Sequence, residues 1–274
     1  MDSISAALML GIVQGISEWL PISSKTQIMI VSSLLLGLNM SEAYSLGLFL
    51  ESGSLLAAII YFYKEIKEML LGVIGRSRMG FRMFLYLVVV TLITGLVGVP
   101  LYLFVEENIR GFIIGIPMIL LGTALIFDSL IIKISNKGRD KRFESTGIKH
   151  WLVVGISQGI AALPGISRSG MTTSAMLFMG LSAEEAFRLS FLALIPASAG
   201  ASALTLIMGR STYLALGRIG YAGALAAMLS STLVSLAVIR SVLEFARRSR
   251  VYRITFFLGA IAIISGVLSL LTGL

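Results

Sequence analysis

Pro164-Gly165-Ile166-Ser167-Arg168-Ser169-Gly170 interrupts an apolar run that extends from about residue 149 to 181. A second apolar run, about 4–36, is broken in the same way by Pro21-Ile22-Ser23-Ser24-Lys25. A cation at membrane depth costs about 2.5–3.5 kcal/mol on insertion scales, so Lys25 and Arg168 require a protein-lined setting. A span also needs roughly 20 consecutive apolar residues. Each broken run therefore reads as two half-length helices that dip into the bilayer and return, in preference to one kinked span.

The two breaks are copies of each other. Gly11-Ile12-Val13-Gln14-Gly15-Ile16 matches Gly155-Ile156-Ser157-Gln158-Gly159-Ile160, Leu20-Pro21 matches Leu163-Pro164, and Ser24-Lys25 falls on Ser167-Arg168. Further on, Glu42-Ala43-Tyr44-Ser45-Leu46 matches Glu185-Ala186-Phe187-Arg188-Leu189. The Gly-x-x-x-Gly pairs read as close helix packing. Outside the breaks, six uninterrupted stretches are long enough to cross a bilayer: 43–63, 83–104, 111–132, 184–208, 219–243 and 254–272. Repeat one, about 1–135, and repeat two, about 148–274, would each hold a re-entrant pair and three spans. Three is odd, so the halves would insert in opposite senses, as in many transporters. The expected fold is an all-α polytopic membrane protein, a single domain over 1–274 with six transmembrane helices and two re-entrant pairs.

Composition agrees. Of 274 residues 57% are hydrophobic and 13% charged, with mean hydropathy +0.94, where a soluble domain carries about 25% charged residues. Cysteine is absent, which excludes a disulfide scaffold. Met1-Asp2-Ser3 puts no basic residue ahead of the first apolar run, so no secretory leader is expected. The net charge of +8 is an orientation signal and not a nucleic-acid footprint. Loops 64–82, 133–149 and 244–253 hold fifteen of the 22 lysines and arginines; the opposite side holds Arg110, Arg210 and Arg218. The positive-inside rule places the first set in the cytoplasm and both termini outside a plasma membrane. Lys25, Arg168, Arg188 and Arg240 are left over. Arg188 is expected to pair with Glu184 one turn earlier, and Arg240 to snorkel.

Around the breaks stand Glu18, Ser23, Ser24, Thr26, Gln27, Ser167, Ser169, Gly170 and Thr172. Hydroxyls, glycine and a cation at a helix start favour phosphate, because the free N–H groups and the helix dipole both attract an anion. Arginine can grip phosphate oxygens with two prongs. Two such starts suit a diphosphate. The plainer alternative is a structural ion pair from Glu18 to Lys25 or Arg168.

These residues resemble a known family. Gln14 and Glu18, followed by Pro21-Ile22-Ser23-Ser24, resemble the first motif of the undecaprenyl-diphosphate phosphatases of bacitracin-resistance type. Residues 164–172 resemble their second signature, Pro-Gly-x-Ser-Arg-Ser-Gly-x-Thr. The resemblance implies an integral membrane enzyme with two inverted repeats. It would remove the terminal phosphate of a polyprenyl diphosphate at a site open to the outer face, and so recycle the carrier lipid for envelope polymers. It implies a divalent metal, Mg2+ or Ca2+. Glu18 would be a metal ligand or acid/base group, with Gln14 as its partner. Ser24 would lie near the phosphate as a candidate nucleophile, and Arg168 would hold the diphosphate with Ser167, Ser169 and Thr172 beside it. The expected partners are the lipid and the surrounding membrane, with a homodimer left open and no nucleic acid.

The first motif departs from the pattern Ser-Ser-Thr-Gly-His. Here Ser24 is followed by Lys25-Thr26-Gln27, so Gln27 stands where the histidine is expected. The sole histidine, His150, precedes Trp151 at the edge of the second re-entrant run and reads as interfacial. Glu51, inside the span 43–63, could act as metal ligand or base, or could neutralise Lys25; both roles stay open. Two functions are carried forward: hydrolysis of the lipid diphosphate, and translocation of a polyprenyl phosphate without cleavage.

Overall fold

A backbone in lipid must satisfy its own hydrogen bonds, which leaves helices or closed barrels. The computed structural model describes residues 3–20, 22–108, 115–135, 140–163, 165–208, 210–248 and 251–271. Among them are eleven α-helices, one 3-10 turn and no strand. The first half holds α1 (Ser3–Ser17), α2 (Ser24–Leu36), α3 (Met40–Tyr61), α4 (Tyr63–Val73), α5 (Arg78–Asn108) and α6 (Gly115–Ser135). The second holds α7 (Ile148–Ile160), α8 (Arg168–Phe178), α9 (Ala183–Met208), α10 (Arg210–Arg248) and α11 (Val251–Leu271). Gly220, with φ of 69°, divides α10 into a short arm and a long one. With that division the elements of the two halves pair off in order.

Local chemistry explains the boundaries. Gly37, with φ of 63°, ends α2 in the left-handed conformation that glycine adopts without strain. Asn39 and Glu42 then start α3 as a reciprocal cap: the Glu42 N–H donates to Asn39 Oδ1 at 3.0 Å, and the Asn39 N–H to Glu42 Oε2 at 3.2 Å. At 1.5 Å per residue, the 15 residues of α1 and the 11 of α8 rise about 22 and 17 Å. Neither reaches across a hydrocarbon core of about 30 Å. By length and apolarity α3, α5, α9 and α10 can cross a membrane. In α6 and α11 the corresponding apolar stretches are Met118–Phe127 and Gly259–Leu271. The protein is an all-α polytopic membrane protein.

Of the six expected spans, 43–63, 83–104, 184–208 and 219–243 fall on the long apolar helices α3, α5, α9 and α10, while 111–132 and 254–272 fall on α6 and α11, whose apolar stretches are shorter; residues 111–114 and 272 lie outside the described residues. Pro21, Pro164 and Arg110 lie outside the described residues. Two short elements were not anticipated: α4, and the arm of α10 before Gly220. Both are too short to register as spans. Arg188 also departs from expectation. It bonds Glu185 at i, i+3 and Glu65 on α4, each at 3.3 Å, and not Glu184.

Close packing uses the glycines. A Cβ on Gly11 would stand 2.2 Å from the Ala227 carbonyl oxygen of α10, and one on Gly155 would stand 2.7 Å from Ile93 Cβ of α5. Thus α1 lies on α10 of the other half as α7 lies on α5. The pair α6 and α11 repeats the theme: Gly115 faces the Gly266 carbonyl, and Gly122 and Gly259 face each other's carbonyls.

Candidate active site

The first break is built from the end of α1. Gln14 and Glu18 are four residues apart and share one helix face, and Gln14 Nε2 donates to Glu18 Oε2 at 2.7 Å. Trp19 is fully buried and meets the Phe191 ring edge-on, with centroids 4.8 Å apart, which fixes the break against α9. Ser23 then turns the chain with φ of 55°, a left-handed conformation unusual outside glycine. That turn brings Ser24, the first residue of α2, back to Glu18: Ser24 Oγ donates to Glu18 Oε2 at 2.5 Å.

The second break supplies the counter-charge. Ser167 caps α8, its Oγ accepting from the Gly170 N–H at 3.2 Å. Arg168 then points its guanidinium at Glu18, with Nη2 to Oε1 at 2.7 Å. The two side chains are 8% and 3% exposed. A buried pair of this kind is costly to break from one side, by about 3–5 kcal/mol. The Ser167 and Ser169 hydroxyls both donate to the Leu20 carbonyl, at 3.3 and 3.0 Å. Tyr44 on α3 donates to the Ala162 carbonyl at 2.7 Å. Each break is thereby stapled by the other half.

Lys25 and Glu51 lie beside this cluster, with Nζ to Oε1 at 3.9 Å and both side chains buried. Ser198 on α9 donates to Glu51 Oε2 at 2.7 Å. Together with Arg168 they form the charged end of a cavity of about 210 Å³. Its other walls are mostly apolar or small, among them Gly95, Gly98 and Val99 from α5 and Pro196, Ala197, Gly200, Ala201 and Leu204 from α9, with Thr91, Thr94 and Gln158 as polar exceptions. The Ala197–Ala203 run of small residues lets the cavity exist.

The remaining sequence candidates are placed less directly. Thr26 Oγ1 donates to Ser23 Oγ at 3.0 Å, and Gln27 Nε2 to the Ile22 carbonyl at 3.0 Å. Thr172 Oγ1 is bonded to the Arg168 carbonyl at 2.9 Å and to Ser190 Oγ at 2.6 Å, away from the cavity wall. Gly170 serves the α8 cap. His150 accepts from the Gly147 N–H at 3.2 Å at the start of α7 and does not line the cavity. Ser198, Ser190 and the Leu20 carbonyl were missed from sequence. Only Ser198 left a trace there, inside the small-residue run.

The donor set does not suit a resident divalent cation. Glu18 spends Oε1 on Arg168 and Oε2 on Gln14 and Ser24, and Glu51 is held by Ser198 and Lys25. Two carboxylates face two cations, with no surplus negative charge. Among the described residues no three His, Cys, Asp or Glu side chains gather as a ligand set.

The sequence that builds this site matches known proteins. The family model described as bacitracin resistance protein BacA matches residues 7–265. The chain belongs to the BacA family. Curated relatives named undecaprenyl-diphosphatase agree over nearly full length. One from Saccharolobus solfataricus is 47% identical over 274 residues, covering 98% of each chain. One from Sulfurisphaera tokodaii is 46% identical over 266 residues, covering 96% of this chain and 97% of its own. One from Pyrobaculum aerophilum is 41% identical over 270 residues, covering 98% and 99%. The BacA match takes in both breaks, so Glu18, Ser24 and Arg168 lie within it.

Proposed function

We propose that this protein hydrolyses a polyprenyl diphosphate, of the undecaprenyl type its relatives are named for, and releases the terminal phosphate. The Ser24–Glu18–Arg168 cluster beside the apolar cavity carries the reading. A serine hydroxyl that already donates to a buried carboxylate has the geometry of a nucleophile and its base. Arg168 and Lys25 stand where the charge of a transferring phosphoryl group would be neutralised, the main service this chemistry asks of a protein. The diphosphate would displace Arg168 from Glu18 and sit between Arg168 and Lys25, with the prenyl tail along α5 and α9.

Ser24 Oγ, or a water in its place, attacks the terminal phosphorus as Glu18 takes its proton. The bridging P–O bond breaks and polyprenyl monophosphate leaves. If Ser24 attacks, water then cleaves the phosphoserine ester. The protein's own cations, Arg168 and Lys25, carry the charge neutralisation, and a divalent cation would be held by the diphosphate itself, supplying further neutralisation of its charge.

The position of the cavity supports an outward opening. With the basic loops in the cytoplasm, α5 and α9 run outward and α3 inward. All three then contribute to the cavity from their outer halves, through residues 91–102, 196–204 and 44–51. On the opposite side Arg188 bridges Glu65 and Glu185, and Tyr86, Phe143 and Trp151 form an aromatic cluster. The plasma membrane is the proposed location, both termini outside.

The paired packing of α1 on α10 and α7 on α5 favours translocation as the second reading, because opposed equivalent halves suit alternating access. Purified protein given farnesyl or undecaprenyl diphosphate with Mg2+ or Ca2+ separates the two. Phosphate release that vanishes in Glu18→Ala and Arg168→Ala supports hydrolysis. Absence of release, with lipid-phosphate binding that still needs Arg168, overturns it in favour of translocation.

A further inference from the structure

A second, larger cavity of about 940 Å³ lies between α1, α6, α10 and α11, away from the candidate active site. Its walls are apolar: Ile16 and Leu20 at one end, Leu130 on α6, Val238 and Val242 on α10, Phe256 on α11. Two cations, Lys133 and Arg253, stand at its other end together with the hydroxyls of Ser129 and Ser241. Among the described residues α6 and α11 pack chiefly on each other and meet the rest of the bundle sparingly, at α8 and where the Phe257 ring lies 6.3 Å from Phe245 of α10, which leaves this space open.

The polarity of the cavity follows its depth. Lys133 is in the last turn of α6 and Arg253 in the first turn of α11, the ends joined to the basic loops. Ile16 and Leu20 belong to the first break, which half-helix α1 carries to mid-depth. The cavity therefore spans one leaflet, with cations at the headgroup level and apolar walls running to the midplane. Basic pockets between membrane helices on the cytoplasmic side suit acidic lipid headgroups.

We propose that this groove binds one acidic phospholipid of the cytoplasmic leaflet. Its phosphate lies between Lys133 and Arg253, and an acyl chain lies against Leu130, Val242 and Phe256 and ends at Leu20. The choice of leaflet rests on the membrane orientation proposed above; the choice of lipid rests on the two cations. The bound lipid also touches the active site from behind. The Leu20 carbonyl holds the Ser167 and Ser169 hydroxyls at the start of α8, so chain packing on Leu20 supports the segment that aims Arg168.

Native mass spectrometry of the detergent-purified chain tests this. Phosphatidylglycerol and phosphatidylcholine with the same acyl chains are the probes. The wild type is expected to retain one phosphatidylglycerol in preference to phosphatidylcholine. Each cation contributes about five-fold, so Lys133→Gln with Arg253→Gln should weaken phosphatidylglycerol retention roughly 30-fold and leave phosphatidylcholine unchanged. Val242→Trp, which narrows the groove against the acyl chain and keeps both cations, should reduce retention of both lipids. Equal retention of the two lipids by the wild type overturns the proposal. So does a double variant that holds phosphatidylglycerol like the wild type, or a lipid-free dimer that covers the groove with a second copy. The readout is independent of phosphate release, so failure of the phosphatase reading would not affect it.

Discussion

Gly95→Leu tests whether the apolar cavity holds the lipid tail. A Cβ at Gly95 meets nothing within 4 Å, and the residue lines the cavity of about 210 Å³. The Cβ of a leucine there meets no backbone, and its side chain has the adjoining cavity, the space assigned to the tail, to occupy. Its helix propensity exceeds that of glycine by up to about 1 kcal/mol, so the variant should be at least as stable as the wild type. The leucine side chain is close in bulk to one isoprene unit. Excluding that unit forfeits about five buried carbons at ~0.8 kcal/mol each. If the tail recovers half by shifting along the open side, about 2 kcal/mol remains, a roughly 30-fold rise in KM for undecaprenyl diphosphate. A short, water-soluble prenyl diphosphate should react as it does with the wild type. Phosphate release measured against chain length, with a thermal melt of each protein, gives both quantities. A stable Gly95→Leu protein with an unchanged KM for the long substrate would refute the tail assignment.

Arg168→Leu should cost about 3–5 kcal/mol of stability, because it strands the buried Glu18 charge; adding Glu18→Gln should restore part of that loss in a thermal melt. Ser198→Ala should lower stability by about 1 kcal/mol, since it removes the donor that holds Glu51 Oε2. Calorimetric titration of the lipid-free protein with Mg2+ or Ca2+ should show no stoichiometric site, whereas titration with diphosphate present should show uptake. Gly122→Leu should lower the folded yield, because its Cβ would stand 2.6 Å from the Gly259 carbonyl oxygen.

The breaks were legible because they violate a strong rule: a cation and a run of hydroxyls do not belong in an apolar segment without a purpose. That violation singled out Lys25 and Arg168, and the spacing of Gln14 and Glu18 along one helix face added their neighbours. The helix order was legible for the same reason, since apolar length is what a bilayer selects. What stayed hidden depends on tertiary meeting. Arg168 reaches Glu18 across 150 positions, and sequence left that pair beside a Lys25 alternative. The Leu20 carbonyl has no side-chain signature, yet it anchors both serines of the second signature. Glu51 had two open roles in the sequence; the fold sets it between Lys25 and Ser198 because α3 crosses α9 there. Arg188 chose Glu65 and Glu185 over Glu184 because α4, a helix too short to detect from apolar length, brings Glu65 alongside.

The central claim is that the Ser24–Glu18–Arg168 site uses water to cut the terminal phosphate from a lipid diphosphate. The most direct measurement is turnover of undecaprenyl diphosphate in 18O-labelled water, with both products analysed by mass spectrometry. The account predicts orthophosphate carrying one labelled oxygen and unlabelled polyprenyl monophosphate, with neither formed by Glu18→Gln. Free polyprenol with inorganic diphosphate, or no product from a wild-type protein that still binds the lipid, would contradict it.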